Sequence, residues 1–366
     1  MPRRHAAMAL ALGALCAPPE AAAQDIDEGL RLGGAIRFTT GWRDYGPSEG
    51  NGDADLELLR VDASGRRDAL EFSLQYRWYE TFDAVHHAWV GWRFDEGRGL
   101  RAGVQQVPIG LLPTASHSFW FGSGYYLGVE DDYDLGLVWR DIGPGSSWHV
   151  GLFAGDEYGT GDRYGRYSFD VADAGGLRYR ERGQLVVRHA RQFAAGDWDM
   201  EFGATGGLGR IENLDDGGHP RRALGAVHAQ ATRGGLSLQL QWLRYHHSVD
   251  GERIALAAFD FPFEIAARAD VHTFNLAYAF DMDGRWLDSL TCYNDFSTTQ
   301  AGGGEGLADS YQNVTGCSLG KGPMLTYVDL ITGRNMWFVG GPGVGIDAGD
   351  SDRWHSRLNI NVGFYF

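Results

Sequence analysis

Between Ala69 and Tyr79 every second side chain is apolar: Leu70, Phe72, Leu74, Tyr76 and Trp78 alternate with Glu71, Ser73, Gln75, Arg77 and Tyr79. A helix of 3.6 residues per turn would smear this pattern around its circumference. A strand sends successive side chains to opposite faces and keeps the two sets apart. The pattern recurs along the chain. Leu236, Leu238, Leu240 and Trp242 alternate with Ser237, Gln239 and Gln241, and Phe274, Leu276, Tyr278 and Phe280 with Thr273, Asn275, Ala277 and Ala279. At the end Leu358, Ile360, Val362, Phe364 and Phe366 alternate with Arg357, Asn359, Asn361, Gly363 and Tyr365. No amphipathic helix of three turns and no fixed-period repeat interrupts this reading, so the chain is expected to be all-β.

Strands are expected near 32–42, 54–63, 68–80, 83–94, 99–107, 133–140, 147–155, 181–192, 197–210, 222–232, 235–247, 269–280, 286–296, 311–319, 323–334 and 355–366. Most have about ten residues, enough for a tilted strand to cross a bilayer. The connections alternate in length. Short ones include Ser64-Gly65-Arg66-Arg67, Asp95-Glu96-Gly97-Arg98 and Arg233-Gly234; long ones cover 43–53, 108–132, 156–180, 248–268, 297–310 and 335–354. The link at Thr81-Phe82 is the short exception on the long side. A membrane barrel has short turns at one end and long loops at the other, and an even strand number returns both termini to the short-turn end. A soluble sandwich shares the alternation but needs no such parity. The expected fold is a transmembrane antiparallel β-barrel of about 16 strands.

The N-terminus agrees. Arg3 and Arg4 precede an apolar stretch from Ala6 to Ala17, and Ala21-Ala22-Ala23 supplies small residues before Gln24. That is the layout of a secretory signal peptide, so 1–23 is expected to be a signal peptide and 24–366 the barrel. After it no apolar run reaches about 18 residues, and a mean hydropathy of -0.30 argues against transmembrane helices. A net charge of -16 disfavours nucleic acid as a partner.

The closing Asn361-Val362-Gly363-Phe364-Tyr365-Phe366 resembles the last strand of Gram-negative outer-membrane barrels, in which a terminal Phe is read by the barrel-assembly machinery. The resemblance implies an outer-membrane location and makes Phe366 the expected assembly signal. Strand number and length are similar to those of trimeric general porins, which implies a homotrimer. Gly103-Val104-Gln105-Gln106-Val107-Pro108-Ile109-Gly110-Leu111 resembles the segment before the constriction loop of the phosphate-selective porin O and P family. Gln106 and Ile109 replace that family's Lys and Phe, and Lys321 is the only lysine here, so its lysine ladder and phosphate selectivity do not carry over.

If the apolar faces meet lipid, the alternate faces line water. Alternation then turns Arg37, Arg77, Arg93, Arg101, Arg140, Arg188 and Arg357 inward, with Glu71, Gln75, Gln105, Asp134, Gln184, Asp199, Glu201, Gln239 and Gln241. Guanidinium groups recognise carboxylate and phosphate, and rings of Arg select anions. Pairing of these arginines within the wall is the competing reading. The stretch from Pro108 to Val129 contains no Asp, Glu, Lys or Arg. It offers Pro108, Ser116, His117, Phe119, Trp120, Tyr125 and Tyr126. Exposed, it would be an aggregation hazard; as the third long loop, the one that folds inward in general porins, it is expected to form a constriction opposite the arginines.

Cys292 and Cys317 flank the 297–310 loop on adjacent strands, so a cross-hairpin disulfide is possible, with free thiols as the alternative. The acidic runs Asp53-Ala54-Asp55, Asp215-Asp216 and Asp347 to Asp352 suit loop tips, or cations that bridge lipopolysaccharide phosphates. Adjacent His86-His87 and His246-His247 are expected on opposite strand faces. No metal centre, cofactor or catalytic arrangement is expected. The function expected is an outer-membrane porin for passive diffusion of small hydrophilic solutes, anionic ones among them, with lipid and lipopolysaccharide as surroundings. An outer-membrane barrel enzyme of lipase or protease type and a non-conducting structural or adhesive barrel are the alternatives.

Overall fold

The computed structural model describes residues 28–46, 50, 52–349 and 352–366. The expected signal segment 1–23 lies outside the described residues, as does part of the acidic run at 347–352. Sixteen antiparallel strands form a closed barrel. They are β1 (Gly29–Arg43), β2 (Gly52–Arg67), β3 (Leu70–Trp78), β4 (Asp83–Arg93), β5 (Arg98–Gln106), β6 (Tyr133–Gly143), β7 (Ser146–Asp156) and β8 (Leu177–Ala195). The second half has β9 (Trp198–Asn213), β10 (Arg221–Arg233), β11 (Leu236–His247), β12 (Arg268–Phe280), β13 (Ser289–Gln300), β14 (Ser310–Lys321), β15 (Met324–Arg334) and β16 (His355–Tyr365). Each pairs with the next, and β1 closes on β16, with Ala35 opposite Tyr365 and Arg43 opposite Arg357. Closure leaves no strand edge unpaired.

The two faces divide by polarity. Leu70, Phe72, Leu74, Leu240, Trp242, Phe274, Leu276 and Tyr278 are exposed on the outside. Their neighbours Glu71, Gln75, Gln239, Gln241, Thr273 and Asn275 are buried inside. This inversion of the soluble pattern is what a hydrocarbon surround demands: a charge on the lipid face at mid-depth costs about 2–4 kcal/mol. Cys292 and Cys317 stand directly opposite one another on β13 and β14 and form a disulfide.

The long-loop end holds an element where the alternation pattern predicts only loop. Asp170–Val171, Arg253–Ala258, Phe261–Ala266 and Gly343–Val344 join three loops into a four-stranded sheet. Its Ile254, Leu256, Ile265, Val171 and Val344 are fully buried and share one apolar cluster with Tyr125, Tyr126, Phe169 and Phe263. Each such side chain contributes about 1.5–3 kcal/mol on burial, which holds the loops over the barrel rather than leaving them as separate excursions.

Candidate functional site: the lumen and its inward-folded loop

One arc of the inner wall, from β16 through β1 to β6, carries arginine. Arg37 donates to Glu57 at 2.8 Å and lies over the Phe119 ring at 5.2 Å. Arg60, which the sequence reading passed over, pairs with Asp62 at 2.9 Å. Arg77 donates to Gln75 at 2.6 Å and lies over Tyr167 at 4.5 Å. Glu71 accepts from Arg101 at 3.1 Å and Arg140 at 2.7 Å, and Arg101 stacks on Trp89 at 3.8 Å. Gly91 keeps Glu71 in place, because a Cβ there would stand 2.8 Å from the glutamate Cγ. Arg357 lies over Trp120 at 4.8 Å and 3.8 Å from Asp53. Arg93 is half-buried on the inward-facing side of β4. Gln105 donates to the Arg101 and Gly136 carbonyls, and Asp134 accepts from Gln184 at 2.6 Å. The pairing foreseen as the competing reading is thus real. Among the described residues the carboxylates paired with this arc include Asp53, Glu57, Asp62 and Glu71. Arg101 and Arg140 keep 22% and 19% of their side-chain surface open to solvent.

The segment 107–132 leaves β5, crosses the lumen along the opposite wall and returns to β6. Its first turn presses on that wall at Gly110, whose φ of +62° and lack of a Cβ both matter: a Cβ would collide with Gln241. There the Gly110 carbonyl accepts from Arg188 at 2.6 Å, and the Leu111 N–H donates to Gln241 at 2.8 Å. Pro108 is buried at this entry. Further along, Asn275 donates to the Ala115 carbonyl at 2.6 Å. Asp295 of β13 then accepts three donors: Ser116 Oγ at 2.9 Å, His117 N–H at 2.7 Å and Ser118 N–H at 2.9 Å. His117 Nδ1 lies 2.9 Å from the same carboxylate, and its Nε2 3.2 Å from Ser237 Oγ. Ser123 bonds to Ser297, and Gln312 donates to the Phe121 carbonyl. The short helix Ser123–Tyr126 carries Tyr125 and Tyr126 into the loop cluster. The loop therefore lies between its anchors on β8–β14 and the arginine arc, which Phe119 and Trp120 touch.

Most acids of this half are buried; Glu201 instead pairs with Arg188 at 2.7 Å and keeps 20% of its side chain open. Asp295, Asp329 and Glu130 are each at most 3% exposed. Burial pushes the Glu130 carboxyl up to about 8, against the opposing pull of hydrogen bonds from Gln241 and the Ala115 backbone. A carboxyl whose folded pKa lies above its unfolded value of about 4.3 keeps a proton that the unfolded chain releases. Folding stability then falls as pH rises between those two values. Glu130→Gln is expected to leave stability unchanged at pH 4.5 and to raise it by on the order of 3 kcal/mol at pH 8. Denaturant unfolding at both pH values checks this; parallel pH profiles for the two proteins would contradict it.

One expectation is corrected. His86 and His87 do not face opposite ways. The register passes from Gln75 opposite His87 to Tyr76 opposite Val85, so His86 is the extra residue of a β-bulge. His87 Nε2 lies 2.7 Å from Ser73 Oγ, and the two Nδ1 atoms lie 2.9 Å apart. His246 and His247 keep the expected alternation, exposed and buried in turn. Asp295 was missed; an inward acid opposite an uncharged loop is its only trace in the sequence.

A closed barrel of 16 strands with a polar inner face and a loop tied across it is the architecture of outer-membrane porins. Solved structures share it. The chain superimposes on Pseudomonas putida OprB with a TM-score of 0.62 at 10% identity, over 92% of this chain and 94% of that one. For the Acinetobacter baumannii outer-membrane channel DcaP the values are 0.60, 10%, 93% and 99%. For an anion-selective porin from Comamonas acidovorans they are 0.58, 11%, 93% and 100%. At these identities the likeness is one of fold. No family model matches the sequence, and no curated protein matches it.

Proposed function

We propose that this chain is an outer-membrane porin, exported by the signal peptide 1–23, through which small hydrophilic solutes diffuse with anions favoured. The observation that carries this reading is the arrangement of charge: Arg101, Arg140 and Arg357 reach solvent on one lumen wall, while Asp295, Asp329 and Glu130 are buried on the other side and Glu201, which stays partly open there, is paired with Arg188. A net negative chain can thus carry a cationic bore, because much of its acid lies in the outer loops. Planar-bilayer recording of the purified protein tests it. Stepwise conductance and an anion-directed reversal potential in a KCl gradient are expected. A protein that inserts without conducting would favour the adhesive barrel.

An enzyme reading has one observation behind it, since Ser237, His117 and Asp295 stand in the order of a hydrolytic triad. Asp295 also binds Ser116 and two loop N–H groups, which suits an anchor. A fluorophosphonate probe that fails to label Ser237 supports the anchor; covalent labelling would support the enzyme.

The outer face favours phosphate-bearing lipid, lipopolysaccharide in particular, as a partner. At the long-loop end Arg182 stands opposite Arg210, and Arg210 opposite Arg221. Like charges directly opposite destabilise a sheet; Glu212 offsets this at Arg182, and a bridging anion would do the same for Arg210 and Arg221. Nearer mid-strand Phe202, Val227, Leu240, Trp242, Phe274 and Phe296 line an apolar groove of about 550 Å³. Arg210→Gln with Arg221→Gln is expected to cut co-purifying lipopolysaccharide at least threefold; unchanged content would count against this contact. A homotrimer and recognition of Phe366 by the barrel-assembly machinery belong to the same proposal. Mass measurement in detergent tests the first, and the membrane yield of a chain lacking Phe366 tests the second.

A further inference from the structure

The strongest unexplained feature lies where the constriction loop returns to the wall. Six carboxylates, Asp132, Asp134, Asp156, Glu157, Asp170 and Glu181, are buried there with two guanidinium groups, Arg166 and Arg222. The arginines do not balance them. Arg166 is committed to Asp156 at 2.8 Å and reaches Asp170 at 3.4 Å, while Arg222 pairs with Glu181. Asp156 is further satisfied by the N–H groups of Tyr158, Gly159 and Thr160.

Four of the other five are under-satisfied. Asp132 Oδ1, Asp134 Oδ1, Glu157 Oε2 and Glu181 Oε2 are buried and accept no hydrogen bond. One oxygen each from Asp132, Asp134 and Asp170 lie within 4.8 Å of one another. Native proteins seldom leave such atoms orphaned, and unpaired buried anions are costly. The group must take up either several protons or a cation.

We propose that Asp132, Asp134 and Asp170 bind a divalent cation of the Ca²⁺ class, with Glu157 and Glu181 within reach of its remaining positions. An all-oxygen, mostly anionic donor set suits a hard cation. Ca²⁺ accepts six to eight oxygen ligands, waters among them, in flexible geometry, whereas Mg²⁺ demands a near-octahedral shell and usually keeps several waters. The site would tie the exit of the constriction loop, through Asp132, to β6 and to the 157–176 loop. Those segments already meet there, since Val107 donates to the Asp132 carbonyl and Tyr133 to Ser168, each at 2.8 Å.

The test uses the full protein in detergent, freed of lipopolysaccharide and treated with EDTA. Calorimetric titration with CaCl₂ is expected to show one site per chain, bound at least 100-fold more tightly than any further Ca²⁺. Asp132→Asn with Asp134→Asn should abolish that site, and Asp170→Asn should weaken it at least tenfold. The temperature at which the folded band is lost on gels should rise with Ca²⁺ in the wild type only. The proposal is overturned if the wild type shows no saturable site, if the site survives in the Asp132→Asn/Asp134→Asn protein, or if Asp170→Asn leaves its affinity unchanged. Because the wild-type titration stands alone, failure of a variant to assemble leaves the proposal falsifiable. A wild type that binds no Ca²⁺ but takes up several protons on folding would identify a protonated network instead.

Discussion

Asp295→Ala is expected to raise single-channel conductance at least twofold and to make the open level noisy. The carboxylate gathers Ser116 Oγ, two backbone N–H groups and the His117 ring at distances of 2.7–2.9 Å. A buried donor left without its acceptor costs about 1–3 kcal/mol; the His117 N–H loses its acceptor outright and its ring loses the carboxylate, while Ser116 Oγ and the Ser118 N–H keep only their contacts with each other's residue. Water entry relieves that cost only if the loop tip lifts off β13. The anchors at Arg188, Gln241 and Asn275 remain, so the loop should sway rather than unfold, which widens the passage and adds noise. Asp295→Asn is the graded control. Its amide oxygen can still accept, while its NH₂ faces donors, so an intermediate conductance is expected. Bilayer recording of the three proteins decides the matter. A quiet Asp295→Ala channel of wild-type size would show that this clamp does not set the aperture.

What the sequence exposed, and what it hid, follows from the range of each interaction. Period two is local, so Leu70 to Trp78 and its equivalents disclosed the strands, and the same alternation turned Arg77, Arg101 and Arg140 inward before any register was known. The bulge at His86 broke that rule because one extra residue leaves no mark in composition. The hairpin Arg253–Ala266 stayed hidden for two reasons. Both faces of Ile254 to Ala258 are buried, so nothing alternates. Its turn places Phe259 and Asp260 at φ of +53° and +64°, where a hairpin turn usually shows Asn-Gly. The Asp295 clamp joins residues 177 to 179 positions apart, and the buried acids come from β6, β7, β8 and two loops. Such constellations arise from barrel closure and are invisible to any local pattern.

The arginine arc gives the second large effect. Arg77→Gln, Arg93→Gln and Arg101→Gln combined should lower the anion-to-cation permeability ratio by about tenfold at 0.1 M KCl. A unit charge about 6 Å from a permeating ion in water is worth roughly 0.7 kcal/mol. Each charge attracts the anion and repels the cation, so three of them shift the ratio by about 4 kcal/mol unscreened, and screening over a Debye length near 10 Å takes back much of it. At 1 M salt that length falls to about 3 Å, so the ratio should change by less than threefold there. Glu71→Gln supplies the opposite sign. Glu71 is the shared acceptor of Arg101 and Arg140, and removing its charge frees two guanidinium groups toward the lumen. Anion preference should therefore rise, with Arg101 still held on the Trp89 ring. Reversal potentials at both salt concentrations separate these outcomes. If neither the triple substitution nor Glu71→Gln moved the potential, charge on this wall would not govern which ions pass.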